Sequence, residues 1–307
     1  MWTRSVCRYL IMVSACLWMS TQAAAESLKP FILGDTPPGD LKSVTETVKT
    51  KLTQQGFEIV GSYSPFAGAM VICVTNNDLK TAAAKVPNGG FGAAQRISVT
   101  EVKGKLQVAY VNPVYLGTAY GMGKLEDISA KLKTALGAVK VFGSEKGIAE
   151  ENLAPGKYRY AMFMPYFADV DNFKEHPDYK TAVETVEKNL AAGVGGTKKV
   201  YRIDLPGKDV SVFGVAVATG DGVDKGNKDT DKEIIDIVDY ADLKHTAYLP
   251  YELMVSGNRV TALRARFRIA VNFPDTKMYG EHGFTKIMTA PWGIQLALEA
   301  VAGFKRQ

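Results

Sequence analysis

The chain has 307 residues, of which 46% are hydrophobic, and its 37 basic and 32 acidic side chains give a formal net charge of +5. This small excess is spread along the whole chain, which argues against a nucleic-acid-binding protein, because such proteins concentrate basic side chains on one face. A chain of this length and hydrophobic content can bury a large core and commonly divides into two domains.

Residues 1–25 predict a signal peptide for export. Arg4 and Arg8 precede a mostly apolar stretch, and Ala23-Ala24-Ala25 forms a small-residue cleavage site. The apolar stretch is shorter than the roughly 20 residues of a spanning helix, which disfavours an uncleaved anchor. A lipobox ending at Cys16 is the alternative and would leave a lipid-anchored protein. We therefore expect a periplasmic protein without a transmembrane segment in the mature chain.

Cleavage after residue 25 would leave Cys73 as the one cysteine of the mature chain. An intramolecular disulfide is then excluded, although the destination is oxidising. Cys73 lies in the apolar run Met70–Val74, where we expect a buried and inert thiol. Stability must therefore come from packing.

Residues 26–140 predict a first α+β domain. Asp40 begins a helix in which Val44, Val48 and Leu52 recur at spacings of four, and Gly56 ends that helix. The following pattern predicts strands at 57–63 and 70–75, a short helix to residue 86 capped by Asn77 or Asp78, a hairpin over 96–111 and a closing helix over 124–136.

The hairpin is the clearest local signal in this domain. Its arms alternate between apolar and polar residues, and the two-residue loop Lys103-Gly104 fixes their register. That register pairs Val99 with Val108 on an apolar face and Thr100 with Gln107 on a mildly polar face. We expect helices to cover one face of the sheet.

This segment, from Leu41 to Leu136, resembles the bacterial family catalogued as domain of unknown function 302. The likeness covers about a third of the chain and is carried by the step Gly56-Phe57-Glu58-Ile59-Val60 and by the hairpin from Arg96 to Pro113. The resemblance implies a compact α+β domain with no established reaction and no catalytic residues to transfer. Family members tend to have Leu-Pro-Cys before the hairpin, whereas this chain has Ala93-Ala94-Gln95, so no function tied to that cysteine is implied.

Residues 141–307 predict a second, longer α+β domain that repeats the first. Glu46-Thr47-Val48 and Glu184-Thr185-Val186 are each followed, after three further residues, by a leucine, and both lie in predicted helices. The second copy would be a divergent relative of the same family. Its predicted elements are a strand at 158–164, a helix at 178–192, strands at 200–205 and 210–218, a helix at 231–240, strands at 246–255 and 261–272, and a helix at 294–302.

The second predicted hairpin supplies the candidate ligand-binding site. A three-residue loop, Gly257-Asn258-Arg259, places Leu253 opposite Leu263 and gives one coherent apolar face, whereas a two-residue loop mixes arginines with leucines. The arginines would then share the other face with three residues of the opposite strand. That face consists of Tyr248, Pro250, Glu252, Arg264, Arg266 and Arg268.

Three arginines at period two suggest recognition of a carboxylate or phosphate, because guanidinium groups are planar, bidentate donors. The competing interpretation is a solvated cross-strand network in which the arginines pair with Glu252 and with acids on a neighbouring helix. If the arginines bind a ligand, Arg266→Ala abolishes binding of an acidic molecule with little loss of stability. His245 lies just before the predicted strand and could join this face.

Motifs for catalysis, metals and nucleotides are missing from the sequence. The three histidines, His176, His245 and His282, have no spacing that suits a metal site, and no nucleophile is paired with His245 at a recognisable spacing. No phosphate-binding glycine motif or nucleophile elbow occurs. The acidic loop Asp221, Asp224, Asp229 and Asp231 suggests calcium but does not match the EF-hand pattern, and a solvated loop that supplies Asp229 or Thr230 as a helix cap is the simpler explanation.

These observations favour a non-catalytic binding or accessory protein without a cofactor. It would recognise a small acidic ligand or a partner protein of the envelope through its second domain. The alternatives are a periplasmic hydrolase that uses His245, Glu252 and the arginines, and a purely structural envelope protein.

Overall fold

The computed structural model of the chain describes residues 27–218 and 230–304. The predicted signal peptide with Cys16, and the carboxylates predicted for the acidic loop at 221–229, lie outside the described residues. Within the two described ranges, no helix has the length and apolar character that crossing a bilayer requires.

The fold is α+β, as predicted, with two antiparallel sheets and with nine α-helices among the described residues. We call the chain up to the end of β7 the first half. Its elements are β1 (Ser27–Leu28), β2 (Phe31–Leu33), α1 (Leu41–Gln54), β3 (Glu58–Tyr63), β4 (Ala69–Thr75), α2 (Asn77–Ala84), β5 (Gln95–Val102), β6 (Lys105–Val111), α3 (Pro113–Ala119), α4 (Glu126–Leu136) and β7 (Lys140–Phe142).

The second half begins at β9, after a short connection that contains β8 (Ile148–Ala149) and α5 (Glu150–Leu153). In the connection, β8 pairs with β1. The second half consists of β9 (Val170–Glu175), α6 (Tyr179–Ala191), β10 (Thr197–Asp204), β11 (Val210–Val217), α7 (Asp231–Val238), β12 (Tyr251–Ser256), β13 (Arg259–Leu263), α8 (Ala265–Asn272) and α9 (Ala290–Val301).

The two halves share one topology. The first sheet has the strand order β3-β4-β5-β6-β2-β7, and the second has the order β10-β11-β12-β13-β9. Each half therefore runs from a strand that pairs with the hairpin, through a helix, two strands, a helix and the hairpin itself, to two closing helices. The additional strand β7 extends the first sheet by one position.

The opening helices of the two halves form as the sequence predicts. Asp40 caps α1 by accepting the backbone N–H of Ser43, and Asp178 caps α6 by accepting that of Thr181, each at 2.7 Å. Both helices bury an apolar stripe that includes the valine and the leucine of the repeated pattern. In α1 the stripe packs on the first sheet, and Gly56 follows the helix with a φ of 78°.

The first hairpin has the predicted register. Ile97 pairs with Tyr110, Val99 with Val108 and Thr100 with Gln107. The predicted cap of α2 is wrong by one or two residues, because Asn76 caps this helix instead of Asn77 or Asp78. By contrast, Thr230 caps α7 through a capping box with Glu233, as the competing interpretation of the acidic loop requires.

The register predicted for the second hairpin is wrong by one residue. The turn contains two residues, and Leu253 pairs with Ala262 instead of Leu263. The predicted strand over 246–255 is also shorter, because residues 246–248 form a 3-10 turn and β12 begins at Tyr251.

The strand predicted over 261–272 is wrong beyond Leu263. The chain enters α8, so Arg264 precedes a helix and Arg266 and Arg268 lie within it. The arginines alternate with apolar residues, which mimics a strand, but the chain forms a helix in which every residue except Arg266 is buried. Arg268 can be buried in this helix because it pairs with the carboxylate of Glu252, and the sequence around Arg268 does not show that partner.

Other elements differ more modestly from the expectation. Residues 158–164 form an irregular loop instead of a strand, in which the Tyr158 hydroxyl donates to the Ala270 carbonyl at 2.9 Å. Helix α3 and the short strands β1 and β2 were not predicted. The last helix begins at Ala290, four residues earlier than expected.

The second half covers the mildly polar face of the first sheet. Ile97 and Val99 point to the face packed by α1, while Arg96, Ser98 and Thr100 face the second half and are buried. The outermost strands β3 and β10 lie side by side, so closely that a Cβ at Gly61 would lie 2.1 Å from the Val200 carbonyl oxygen. Contacts between the halves therefore place polar groups in the interior.

Candidate functional site

An ionic cluster of three side chains lies buried between the halves. We call it the Arg–Glu–Arg cluster, and it consists of Arg96 on β5, Glu252 on β12 and Arg268 on α8. No side chain in it is more than 1% exposed. The Arg96 Nη1 donates to Glu252 Oε1, and the Arg268 Nε donates to Glu252 Oε2 at 2.8 Å. One carboxylate thus joins both sheets and a helix.

Both guanidinium groups also hold backbone carbonyls. Arg96 Nε donates to the Ala247 oxygen at 3.1 Å, and Arg268 Nη2 donates to the oxygens of Tyr248 and Pro250, the latter at 3.1 Å. Burial by itself would lower the pKa of Arg268, but the Glu252 carboxylate outweighs that effect and raises it. The raised pKa keeps Arg268 charged beside the Glu252 carboxylate.

The cluster brings together three of the predicted site residues, Tyr248, Glu252 and Arg268. The Arg268 guanidinium lies over the Tyr248 ring at 5.4 Å from its centroid, and the Tyr248 hydroxyl bonds that of Tyr251 at 2.6 Å. All three side chains are closed off from solvent. Arg96 was missed, and its one sequence signal is that it precedes Ser98 and Thr100 on the polar face of the first hairpin.

The other two arginines of the predicted face lie elsewhere. Arg264 is half-exposed and approaches Asp171 on β9 with its Nε 3.3 Å from the carboxylate. Arg266 is exposed and borders an apolar cavity of about 210 Å³ beside Met278 and Met288. The prediction that three arginines share one face is wrong, because Arg266 and Arg268 lie two residues apart in a helix and so point about 200° apart, while Arg264 precedes the helix.

His245 occupies a different position, at the boundary of the halves and away from the arginines on α8. It is buried and follows α7, and it makes two hydrogen bonds with Asp239. Asp239 accepts the backbone N–H of His245 at 2.8 Å and the ring Nδ1 at 2.7 Å. Because a carboxylate only accepts, Nδ1 carries the proton in this pair. The side chain of Asp239 is completely buried.

Three aromatic rings fix the plane of the imidazole. The ring centroids of Phe31 and Phe273 lie 5.0 Å and 4.8 Å from that of His245, and Phe142 lies at 5.5 Å. Phe31 and Phe142 come from neighbouring strands of the first sheet, whereas Phe273 follows α8. The imidazole is therefore held by both halves at once.

The remaining ring nitrogen, Nε2, has no hydrogen-bond partner among the described residues. His245 lines a cavity of about 530 Å³, together with residues 140–145 on one side and residues 238–243 and 273–276 on the other. A Cβ at Gly143 would lie 3.1 Å from Nε2. The glycine therefore keeps the Nε2 edge of the ring open to the cavity, whose size suits a small molecule.

The charged side chains in the wall of this cavity differ in whether they have a partner. Asp275 accepts the Ser144 hydroxyl at 2.8 Å and the Glu145 N–H, and Asp242 pairs with Lys103. Lys29 donates to a backbone carbonyl, that of Glu145, at 2.9 Å, and no carboxylate of residues 27–218 or 230–304 pairs with it. The exposed Glu145 side chain is the remaining acid of the wall.

A larger groove of about 700 Å³ lies between residues 83–90 and the second sheet. The basic side chains that line it, Lys85, Lys208 and Arg259, are all exposed, and Arg259 already pairs with Glu175. This groove therefore lacks a fixed binding group, whereas the cavity at His245 has one.

The sequence pointed to His245 as a candidate site residue but did not show which residues surround it. Asp239, Lys29 and the aromatic rings were missed. An acid at a helix end six residues before a histidine was the available signal for Asp239. Phe31 and Phe142 are more than 100 residues away from His245 in sequence, so only the fold reveals them. Comparison of the chain with known proteins found no match among family models, curated proteins or solved structures.

Proposed function

We propose that the protein is an exported, non-catalytic binding protein that holds a small acidic molecule in the cavity beside His245. One observation carries the proposal: an imidazole fixed by a buried carboxylate and by rings from both halves, with its Nε2 edge open to a cavity of about 530 Å³. Preorganised polar groups of this kind give binding sites their specificity. The predicted binding role is thus kept, but the site moves from the second half to the boundary between the halves.

Two lysines of the cavity wall could recognise an acidic ligand. Lys29 and Lys140 have no carboxylate partner among the described residues, and Asp242 pairs with Lys103, whereas Asp275 is held by neutral donors and keeps its charge. A protonated His245 would add an Nε2–H donor next to Gly143. A ligand carboxylate could therefore contact the imidazole and Lys29 from one position.

The test combines identification of a bound molecule with a matched pair of variants. Native mass spectrometry of the protein purified from its own envelope should show a retained small molecule. Calorimetric titration with succinate and citrate, as dicarboxylate and tricarboxylate probes, should then be compared between the wild type and His245→Asn. Asparagine keeps an N–H donor for Asp239 but lacks Nε2, so we expect at least a tenfold loss of affinity.

The control is His176→Asn, because His176 bonds the Ala302 carbonyl at 3.0 Å and does not line the cavity. This variant should bind as the wild type does. Equal affinity of the wild type and His245→Asn would refute the site. A co-purifying protein chain with no retained small molecule would instead favour the role of an envelope-protein partner.

A hydrolase is the second candidate, because an Asp–His pair is the usual arrangement for a general base. Ser144 supplies a hydroxyl in the cavity wall, but this hydroxyl donates to Asp275 and accepts from the Gly147 N–H at 3.0 Å. Turnover of p-nitrophenyl acetate that is lost in both His245→Asn and Ser144→Ala would support this candidate. Absence of turnover together with carboxylate binding would support the binding protein.

A further inference from the structure

Two surface loops expose large apolar side chains side by side. We call this surface the apolar tip. Its loops are residues 157–166 and 276–292, joined by the rings of Tyr160 and Phe284 at 4.7 Å and by the apolar cavity of about 210 Å³ between them. The exposed members are Met162 at 70%, Phe163 at 90%, Met278 at 43%, Tyr279 at 77%, Met288 at 68% and Trp292 at 46%.

Phe163 is the most exposed of these residues, and its backbone is also unusual. Its φ of 66° lies in the left-handed region that bulky residues rarely adopt. The conformation places an aromatic side chain outward at the tip of a loop, between two methionines. Single exposed apolar residues are ordinary on protein surfaces, but a contiguous group of this size marks an interaction surface.

Basic side chains surround the apolar tip. The two loops contain Lys157, Arg159, Lys277 and Lys286 against one acid, Glu281, and Arg266 adds a further charge beside the cavity. Arg266, Lys277 and Lys286 are exposed and form no ion pair with any described residue. The tip therefore combines protruding apolar groups with unneutralised positive charge.

We propose that the apolar tip docks on an anionic lipid surface, with Met162 and Phe163 entering the headgroup region. Aromatic and methionine side chains suit that boundary, because their apolar parts leave water while basic neighbours attract the lipid phosphates. The positive charge of the tip favours an anionic lipid surface as the binding partner, because such a surface complements all of the unpaired basic side chains at once. The protruding shape of the tip also suits a fluid bilayer, since the cavity within it is small.

The experiment uses the protein in the form that cells export, with its N terminus defined by mass spectrometry. Cosedimentation is measured with vesicles of phosphatidylethanolamine and phosphatidylglycerol, and with vesicles of phosphatidylcholine alone. We expect binding to the anionic vesicles and at least tenfold weaker binding to the neutral ones, and we expect added salt to weaken the former.

Variants separate the apolar tip from the rest of the surface. Phe163→Asp should reduce binding at least tenfold, and Lys277→Glu with Lys286→Glu should abolish the preference for anionic lipid. Phe304→Asp is the control, because Phe304 is also exposed but follows the far end of α9 from Trp292. Circular dichroism should show that all variants fold.

Absence of wild-type binding to anionic vesicles would overturn the proposal. So would equal binding by Phe163→Asp and Phe304→Asp, or capture of an acidic protein partner through the tip in the absence of lipid. A concentration-dependent dimer that Phe163→Asp abolishes, without any vesicle binding, would assign the surface to a second copy of the chain.

Discussion

The two halves share a topology but differ at equivalent positions of their hairpins. Ser98 lies five residues before the first turn, and Glu252 lies five residues before the second. Both face the opposite half, yet Ser98 makes only a long hydrogen bond of 3.4 Å within its own sheet, to the Ala109 carbonyl. Glu252 instead binds Arg96 of the first half and Arg268 of its own half.

The same contrast recurs at the start of the equivalent helices α2 and α7. The first helical residue is the exposed Asn77 in one half and the buried Asp231 in the other. Asp231 accepts the hydroxyl of Tyr63 from the first half at 2.8 Å. At both equivalent positions, the second half therefore supplies a buried acid that binds a residue of the first half.

The largest expected effect is at Glu252. Glu252→Gln leaves two buried guanidinium groups without a counter-charge, and we expect a loss of about 3–5 kcal/mol in the free energy of unfolding. Ser98→Ala, at the equivalent position, should cost less than about 1 kcal/mol. Glu175→Gln, which breaks the exposed pair with Arg259, is the control for loss of charge without burial and should also have a small effect.

Urea unfolding measures the stability of all three variants. Similar losses for Glu252→Gln and Ser98→Ala would contradict the comparison.

Asp231 should make stability depend on pH. Burial raises its pKa to about 7, although hydrogen bonds from Tyr63 and the Val217 N–H oppose the shift. The folded state therefore keeps a proton that the unfolded state has lost between about pH 4 and 7. Stability should fall across that window, by up to about 1.4 kcal/mol per pH unit, and stay at the lower level above it.

Asp231→Asn imitates the protonated acid and should flatten this pH dependence, leaving the variant more stable than the wild type above pH 7. Asp236→Asn, on the exposed side of the same helix, should leave the slope unchanged. Unfolding free energies from pH 4 to 8 provide the measurement. A slope that persists in Asp231→Asn would show that another group causes it.

Gly61 tests the contact between the outer strands. Gly61→Ala places a Cβ against the Val200 carbonyl and should cost about 1–3 kcal/mol, because backbone must move. Ser62→Ala changes the neighbouring exposed residue of β3 and is the control. If the two variants have equal free energies of unfolding, β3 and β10 can move apart at this edge without a loss of stability.

The smallest effect is expected for the hydroxyl pair that joins the halves. Thr100 Oγ1 donates to Thr246 Oγ1 at 3.0 Å. A double-mutant cycle with Thr100→Val and Thr246→Val should give a coupling of about 1 kcal/mol. A coupling near zero would mean that this hydrogen bond does not stabilise the contact between the halves. The Arg–Glu–Arg cluster and the apolar contacts would then be what holds the halves together.

Local patterns predicted the parts of the fold that local forces determine. The α1 and α6 helices have caps and regular apolar spacing, and the first hairpin has a two-residue turn that fixes its register. The arginines of α8 misled the prediction because a strand and a short helix can both place them among apolar residues. Arg268 is buried through Glu252, which also binds Arg96, and Arg96 lies 172 residues away from Arg268 in sequence. No local pattern reports such a partner.

The side-by-side placement of β3 and β10 also has a consequence for aggregation. Each is the outermost strand of its sheet, and unpaired strand edges readily recruit strands from other chains. Since Gly61 lets the two edges approach closely, each edge shields the other from such recruitment. The first half is synthesised before the second, so its β3 edge and the charged Arg96 stay uncovered until the second half has folded onto them.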